Sequence, residues 1–146
     1  MATILVVDDE PEIRRLLCRW IAPAGHETTE AGDAEEALAV MKDKEAAVVF
    51  CDIQMPGQDG LWLTRQLRTT YPAAAVILAT SVTSVPPTVS LQSGVMAYLV
   101  KPFKQASVVA ALEGALAWHF QATKAGTHHS DPDELESWLR ALDTNL

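Results

Sequence analysis

The chain has 146 residues and a formal net charge of −8, with 49% hydrophobic and 21% charged residues. This length and composition are typical of one globular domain that folds around its own core. A negative surface repels nucleic-acid phosphates, and no apolar run approaches the roughly 20 residues of a membrane span. We therefore expect a cytoplasmic protein with no direct nucleic-acid or membrane partner.

The first strand and helix have the clearest patterns. Residues 4–7 form a continuous apolar run that leads into Asp8 and Asp9. Such runs, separated by segments with helical spacing, predict strands of a parallel sheet that is buried on both faces. A helix is expected to begin at Pro11 and to end near Ile21, because apolar residues recur there every three or four positions.

A short second strand is expected over residues 26–30, where Thr28 and Thr29 favour extended structure. Asp33 then has the position of a helix N-cap, with Glu36 three residues later as in a capping box. The inner face of the helix that follows is expected to contain Ala34, Ala37, Leu38 and Met41.

The third strand is expected to end at Asp52. Residues 55–60 form a cluster of turn-forming side chains, and a third helix is expected over residues 61–70. Leu63 and Leu67 would point inward from this helix.

Two further strands are predicted at residues 76–79, which lead into Thr80, and at residues 95–100, which lead into Lys101. Between them, the prolines at 86–87 limit any helix to a short stretch. The strict alternation of strands and helices indicates an α/β fold, a doubly wound five-stranded parallel sheet with right-handed crossovers.

A long helix is expected from about Gln105. Its apolar stripe would contain Val108, Val109, Leu112, Ala115, Leu116 and Phe120. After a polar break at residues 126–130, a short amphipathic C-terminal helix is expected. Its apolar residues would be Leu135, Trp138, Leu139 and Leu142.

The ends of the predicted strands carry residues that can handle a phosphoryl group. Ligand sites of open parallel sheets lie beyond the carboxyl ends of the strands, so Asp8, Asp9 and Asp52 should lie together there. Clustered carboxylates retain a proton or require a cation, and Mg²⁺ suits oxygen ligands that also accept phosphate. Asp52 is then the natural nucleophile. Lys101 and Thr80 would hold the remaining phosphoryl oxygens.

Four motifs make the chain resemble the receiver domain of bacterial two-component response regulators. They are Val6-Val7-Asp8-Asp9-Glu10, the segment from Asp52 to Gly60, Thr80-Ser81, and the segment from Tyr98 to Phe103. The resemblance covers about residues 2–120 and implies a flavodoxin-like fold with strand order 2-1-3-4-5. We expect the receiver domain over residues 2–122 and a linker with the C-terminal helix over residues 123–146.

The resemblance also implies roles for individual residues. Asp52 would accept the phosphoryl group from the phosphohistidine of a sensor histidine kinase. Asp9 and Asp52 would bind Mg²⁺ directly, together with the backbone carbonyl of Gln54. Asp8 would act mainly through water.

Further roles follow from the same resemblance. Thr80 and Lys101 would contact the phosphoryl group, and the bond between Lys101 and Pro102 would be cis. Tyr98 would swing inward when Thr80 moves, although it could also be ordinary core packing. Trp62 could contact a partner or be partly buried.

Two other function classes stay open. One is a degenerate receiver that serves as a phosphorylation-independent protein-binding scaffold. The other is a Mg²⁺-dependent hydrolase of the haloacid dehalogenase type, which normally has a second acid two residues after its nucleophile, where this chain has Gln54.

The expected receiver could act through several partners. About 25 residues after the long helix are too few for a DNA-binding or enzymatic output domain. The chain would then be a stand-alone receiver with a helical appendix, or part of a longer regulator or hybrid kinase. Its output partner would be a downstream protein or an attached output domain, and a second copy of the chain is a further candidate.

Overall fold

The computed structural model describes residues 2–81 and 95–124. Strands and helices alternate along the chain as the sequence predicts. In chain order the elements are β1 (Thr3–Val7), α1 (Pro11–Ile21), a 3₁₀ turn (Ala22–Ala24), β2 (Glu27–Ala31), α2 (Ala34–Asp43), β3 (Val48–Asp52), α3 (Gly60–Thr70), β4 (Ala75–Thr80), β5 (Val95–Val100) and α4 (Gln105–Lys124). The second strand lies one residue later than expected.

The five strands form one parallel sheet in the order β2-β1-β3-β4-β5. This order confirms the doubly wound α/β prediction and the flavodoxin-like topology. From β1 the chain passes to β2 on one side and later returns to β3 on the other. The change of direction between β1 and β3 opens a crevice at their carboxyl ends, where ligand sites of such sheets lie.

Each face of the sheet carries its own apolar cluster, because alternate residues of a strand point to opposite faces. On one face, Leu5 and Val7 of β1 pack with α2 and α3. On the other, Ile4 and Val6 pack with α1 and α4. All four side chains are at most 1% exposed. The two covered faces explain why the strands are apolar runs and not alternating patterns.

The capping prediction at α2 is confirmed in its main part. The Asp33 carboxylate accepts a hydrogen bond from the backbone N–H of Glu36. The Glu36 carboxylate accepts from Gly32 N–H and not from the cap residue itself. Most of the expected inner faces of α2 and α3 are fully buried, while Leu38 is partly buried. The fully buried residues are Ala34, Ala37, Met41, Leu63 and Leu67.

The assignment of Phe120 to the buried stripe of α4 is wrong, because its side chain is 53% exposed. Val108, Leu112 and Ala115 are buried as expected. The stripe continues to Ala122, which is also buried. At roughly 100° per residue, Phe120 is turned by about 120° from Val108, which places it beside the stripe.

Two expected helices, one near residues 86–87 and one at the C-terminus, lie outside the described residues. No helix in the described part of the chain combines the length and the apolar character that a membrane crossing needs.

Gly60 allows α3 to begin directly against the end of β3. Its N–H donates a hydrogen bond to the carbonyl of Ile53 at 2.9 Å. A Cβ at this position would lie 2.2 Å from the backbone oxygen of Asp52 and 2.8 Å from the Ile53 Cα. Since those atoms belong to the backbone, no side-chain adjustment can relieve the overlap.

Gly60→Ala should therefore lower the free energy of unfolding by about 2 kcal/mol or more, because the β3–α3 connection must move. Gly114→Ala is the matched control. Gly114 lies in α4 with no atom near its missing Cβ, so this change should stabilise the protein by roughly 0.5–1 kcal/mol. Urea unfolding measures both values, and equal effects of the two substitutions would contradict the close-contact explanation.

Candidate functional site

The sheet brings the predicted site residues to one edge. Asp8 directly follows β1, Asp52 ends β3, Thr80 ends β4 and Lys101 directly follows β5. Asp8, Asp52 and Thr80 are at most 3% exposed. The structure thus places these residues at the carboxyl ends of neighbouring strands, where the sequence predicts them.

Lys101 connects the acids of two different strands. Its Nζ lies 2.9 Å from Asp8 Oδ2, 3.4 Å from Asp52 Oδ2 and 3.7 Å from Glu10 Oε1. The backbone N–H of Lys101 donates to the carbonyl of Thr80 at 2.8 Å, and the bond to Pro102 is cis as expected. These contacts hold the ammonium group against the crevice between β1 and β3.

The loop after β1 presents three consecutive acids. Carboxylate oxygens of Asp8, Asp9 and Glu10 lie within 4.8 Å of one another. Asp8 Oδ1 accepts a hydrogen bond from Glu10 N–H at 2.9 Å, while Asp9 is exposed to solvent. Asp52 is not part of this close group, and Lys101 links it to Asp8.

Asp52 has contacts through both of its carboxylate oxygens. Oδ1 accepts a hydrogen bond from the backbone N–H of Gln54 at 3.3 Å, and Oδ2 faces Lys101. The exposed Gln54 side chain accepts a hydrogen bond from Ser81 Oγ at 3.3 Å. The backbone after Asp52 consequently folds back over the carboxylate and leaves the Gln54 amide at the rim of the site.

The electrostatics of the site favour a cation. Burial and the charge of Asp8 raise the pKa of Asp52 from 3.8 to about 6, although Lys101 opposes the shift. Burial by itself lowers the pKa of Lys101, but hydrogen bonding and charge interactions with Asp8 and Asp52 outweigh it, and that pKa is raised. One ammonium thus faces three carboxylates, so negative charge is in excess. Carboxylate oxygens are the ligands that a hard divalent ion such as Mg²⁺ prefers.

Two aromatic residues singled out by the sequence lie on the face of the sheet that α2 and α3 cover. Tyr98 of β5 and Trp62 of α3 are partly buried and pack against that apolar cluster. Trp62 is thus partly buried, and a partner contact through its exposed part stays a prediction. The Tyr98 hydroxyl is buried and has no hydrogen-bond partner within residues 2–81 and 95–124. Its burial raises the pKa of Tyr98 to about 12.

Sequence reasoning missed two residues of the site. Glu10 contacts Lys101, and the signal for it was present, since it directly follows two acids at a strand end. Arg14 donates from Nη1 to the backbone carbonyl of Asp8 at 2.6 Å. No spacing rule identifies that contact, because a backbone carbonyl has no signature in the sequence.

Comparisons with known proteins agree with this geometry. A family model described as the response regulator receiver domain matches residues 4–113. The DNA-binding transcriptional regulator NtrC of Salmonella typhimurium is 39% identical over 119 residues, covering 81% of this chain and 25% of that protein. Across the curated relatives compared, the chain spans between 25% and 60% of their length.

Solved structures give the same result. The receiver domain of NtrX from Brucella abortus superposes with a TM-score of 0.71 at 36% identity, covering 78% of this chain and 98% of that one. The response regulator protein TrrA from Thermotoga maritima, solved in complex with Mg²⁺-BeF, has a TM-score of 0.70 at 34% identity. That match covers 80% of this chain and all of TrrA.

Asp52→Asn should raise the free energy of unfolding by about 2 kcal/mol at pH 7 when divalent ions are chelated, because it removes an unfavourable buried charge. Folding raises the pKa of Asp52 to about 6, so the stability of the unsubstituted protein falls as pH rises from about 4 to 6. The advantage of the asparagine should therefore vanish below about pH 4. Urea unfolding in EDTA across this range measures the difference.

Asp9→Asn is the control, since Asp9 belongs to the neighbouring acidic group of Asp8, Asp9 and Glu10 but is exposed. It should change the free energy of unfolding far less than Asp52→Asn. If Asp52→Asn raised the free energy of unfolding equally at every pH, the buried charge would not be the cause of the gain in stability.

Proposed function

The chain belongs to the response regulator receiver domain family, and from this premise we propose that Asp52 accepts a phosphoryl group from the phosphohistidine of a sensor histidine kinase. The observation that carries the proposal is the contact of Lys101 Nζ with both Asp8 and Asp52. A lysine held between two nearly buried acids places a nucleophile, a phosphate-binding cation and a metal ligand within one site.

The donor set fits Mg²⁺, because it consists of hard oxygens with an excess of negative charge. Asp9 and Asp52 would bind the ion directly with the Gln54 carbonyl, and Asp8 would act through water. When bound, Mg²⁺ would shield the negative phosphoryl group from the attacking carboxylate. TrrA, at 34% identity, was solved in complex with Mg²⁺-BeF, which supports Mg²⁺ as the ion.

The side chains of this chain would divide the remaining work. An oxygen of Asp52 forms the new bond to phosphorus while the bond from phosphorus to the donor histidine breaks, and the leaving imidazole keeps that electron pair and takes up a proton. Lys101 would then pair with a phosphoryl oxygen in place of the carboxylates. Thr80, at the end of the neighbouring strand β4, would donate its hydroxyl to another oxygen.

The same step would switch the output surface. The phosphoryl group adds local charge beside Thr80 and Lys101, and movement of Thr80 would let Tyr98 turn further inward. Tyr98 lies on the edge strand β5, and its hydroxyl has no partner among the described residues. Burying it more deeply therefore breaks no hydrogen bond within that part of the chain.

Residues 2–122 would form this receiver, with a linker and helix over residues 123–146. Its partners would be the sensor kinase, a downstream protein or attached output domain, and a second copy of the chain, all in the cytoplasm. The hydrolase alternative is weaker because Gln54, two residues after Asp52, has no carboxylate. The scaffold alternative leaves the clustering of Lys101 with two buried acids without a purpose.

Incubation with Mg²⁺ and acetyl phosphate, followed by intact mass measurement, tests the phosphoacceptor. The unsubstituted protein should gain one transient phosphoryl group, and Asp52→Asn should gain none. Asp59→Asn is the matched control, because Asp59 caps α3 by accepting from Trp62 N–H and lies outside the acid cluster. It should retain the adduct.

The outcomes separate the three function classes. Steady release of phosphate from small substrates would favour the hydrolase, and no adduct on the unsubstituted protein would favour the scaffold. An adduct of equal yield on Asp52→Asn would refute the assignment of Asp52.

Thr80→Val tests the switch. Thr80 is fully buried and valine preserves its shape, so the fold should persist while the hydroxyl donor is lost. Hydrogen exchange of the β5 amides is measured with and without beryllofluoride. The change in exchange that beryllofluoride causes should be severalfold smaller in Thr80→Val than in the unsubstituted protein. Ser81→Ala removes the neighbouring hydroxyl and should keep the response; an unchanged response in Thr80→Val would exclude Thr80 as the trigger.

A further inference from the structure

Arg14 of α1 contacts the backbone of the acidic loop, which contains Asp8, Asp9 and Glu10. Its Nη1 donates to the carbonyl of Asp8 at 2.6 Å in a partly buried position, and its Nε donates to Glu30 Oε1 on β2 at 3.1 Å. The Arg14 side chain is 19% exposed. The guanidinium is therefore hydrogen-bonded to β2 while it also binds the loop that follows β1.

The carbonyl that Arg14 binds belongs to the peptide unit between Asp8 and Asp9. Fixing the orientation of that peptide plane fixes the direction of the Asp9 N–Cα bond, so that only rotation about this bond then sets the direction of the Asp9 Cβ. Other contacts hold the flanking groups: Asp8 N–H donates to the Ala31 carbonyl, and Glu10 N–H donates to Asp8 Oδ1. Asp9 itself is exposed, so its placement depends on this backbone.

The loop between β2 and α2 lies against the guanidinium. A Cβ at Gly32 would lie 3.4 Å from Arg14 Nη1, which is about van der Waals distance. The Gly32 N–H is held by the Glu36 carboxylate at 3.3 Å. Two loops and a strand thus surround Arg14, and its rigid planar fork makes two hydrogen bonds in fixed directions.

We propose that Arg14 is a positioning residue for cation binding, which holds the Asp8–Asp9 peptide so that the Asp9 carboxylate is presented to the divalent ion before the ion arrives. The inference rests on the proposed function. Partners that orient ligating groups in this way typically alter metal affinity by about 10- to 100-fold when they are removed.

Electrostatics alone predicts the opposite effect of removing Arg14 on cation affinity. Arg14 is a positive charge hydrogen-bonded to the loop that carries Asp8, Asp9 and Glu10. It therefore repels a divalent cation, and its removal should tighten cation binding by Coulomb interaction. Positioning predicts that removal weakens cation binding, because the ion must then order the loop itself. The direction of the change therefore distinguishes the two effects.

Mg²⁺ titrations followed by NMR chemical shifts on the whole chain test the proposal. Arg14→Met should weaken Mg²⁺ binding about tenfold. Arg15→Met is the matched control, because it removes the same charge from the next, exposed position of α1; its affinity should be unchanged or slightly tighter. Arg14→Lys keeps the charge but cannot form both hydrogen bonds, and its affinity should fall between those of Arg14→Met and the unsubstituted protein.

Mg²⁺ binding to a folded Arg14→Met protein that equals or exceeds that of the unsubstituted chain would overturn the inference and leave the proposed function intact. If Arg14→Met does not fold, an unchanged affinity of Arg14→Lys overturns it instead. A lack of Mg²⁺ response in the unsubstituted chain would reject the proposed metal site and the inference together.

Discussion

The arrangement depends on one interaction, the contact of the Lys101 ammonium with the carboxylates of Asp8 and Asp52. Buried carboxylates repel each other strongly in a medium of low polarizability. A single positive charge offsets only part of that repulsion, because Glu10 also faces Lys101. The pKa of Asp52 is raised to about 6 by burial and by Asp8 despite Lys101, so the protein holds an excess of negative charge at the carboxyl ends of the strands.

This excess makes the site responsive. A group that is unfavourable in its resting state gains more from a new positive partner than a solvated one does, since the new interaction forms in an already desolvated place. The fold tolerates the repulsion between the carboxylates because the acids and Lys101 adjoin strands that apolar clusters cover on both faces. The strands thus supply stability, and the proposed reactive groups lie at their ends.

Much of this was readable from the sequence, for a physical reason. Strands buried on both faces are continuous apolar runs, and each one marks the position of the polar residue that ends it; Asp52, Thr80 and Lys101 were found in this way. The failures have a common cause in geometry that spacing does not encode. Phe120 continues a plausible stripe but turns away from the sheet, and Arg14 binds a backbone carbonyl.

The site also separates fixed groups from adjustable ones. Asp8, Asp52 and Thr80 are at most 3% exposed, whereas Asp9 and the Gln54 side chain are exposed. Exposed side chains reorient at low cost because water replaces their partners, while buried groups move only when their packing changes. Under the proposed function, a small ion or phosphoryl group would therefore recruit the exposed groups without disturbing the sheet. A change that reaches the rest of the molecule would then pass through the buried groups, so the Thr80 hydroxyl at the end of β4 would be better placed to transmit it than Asp9 or Gln54.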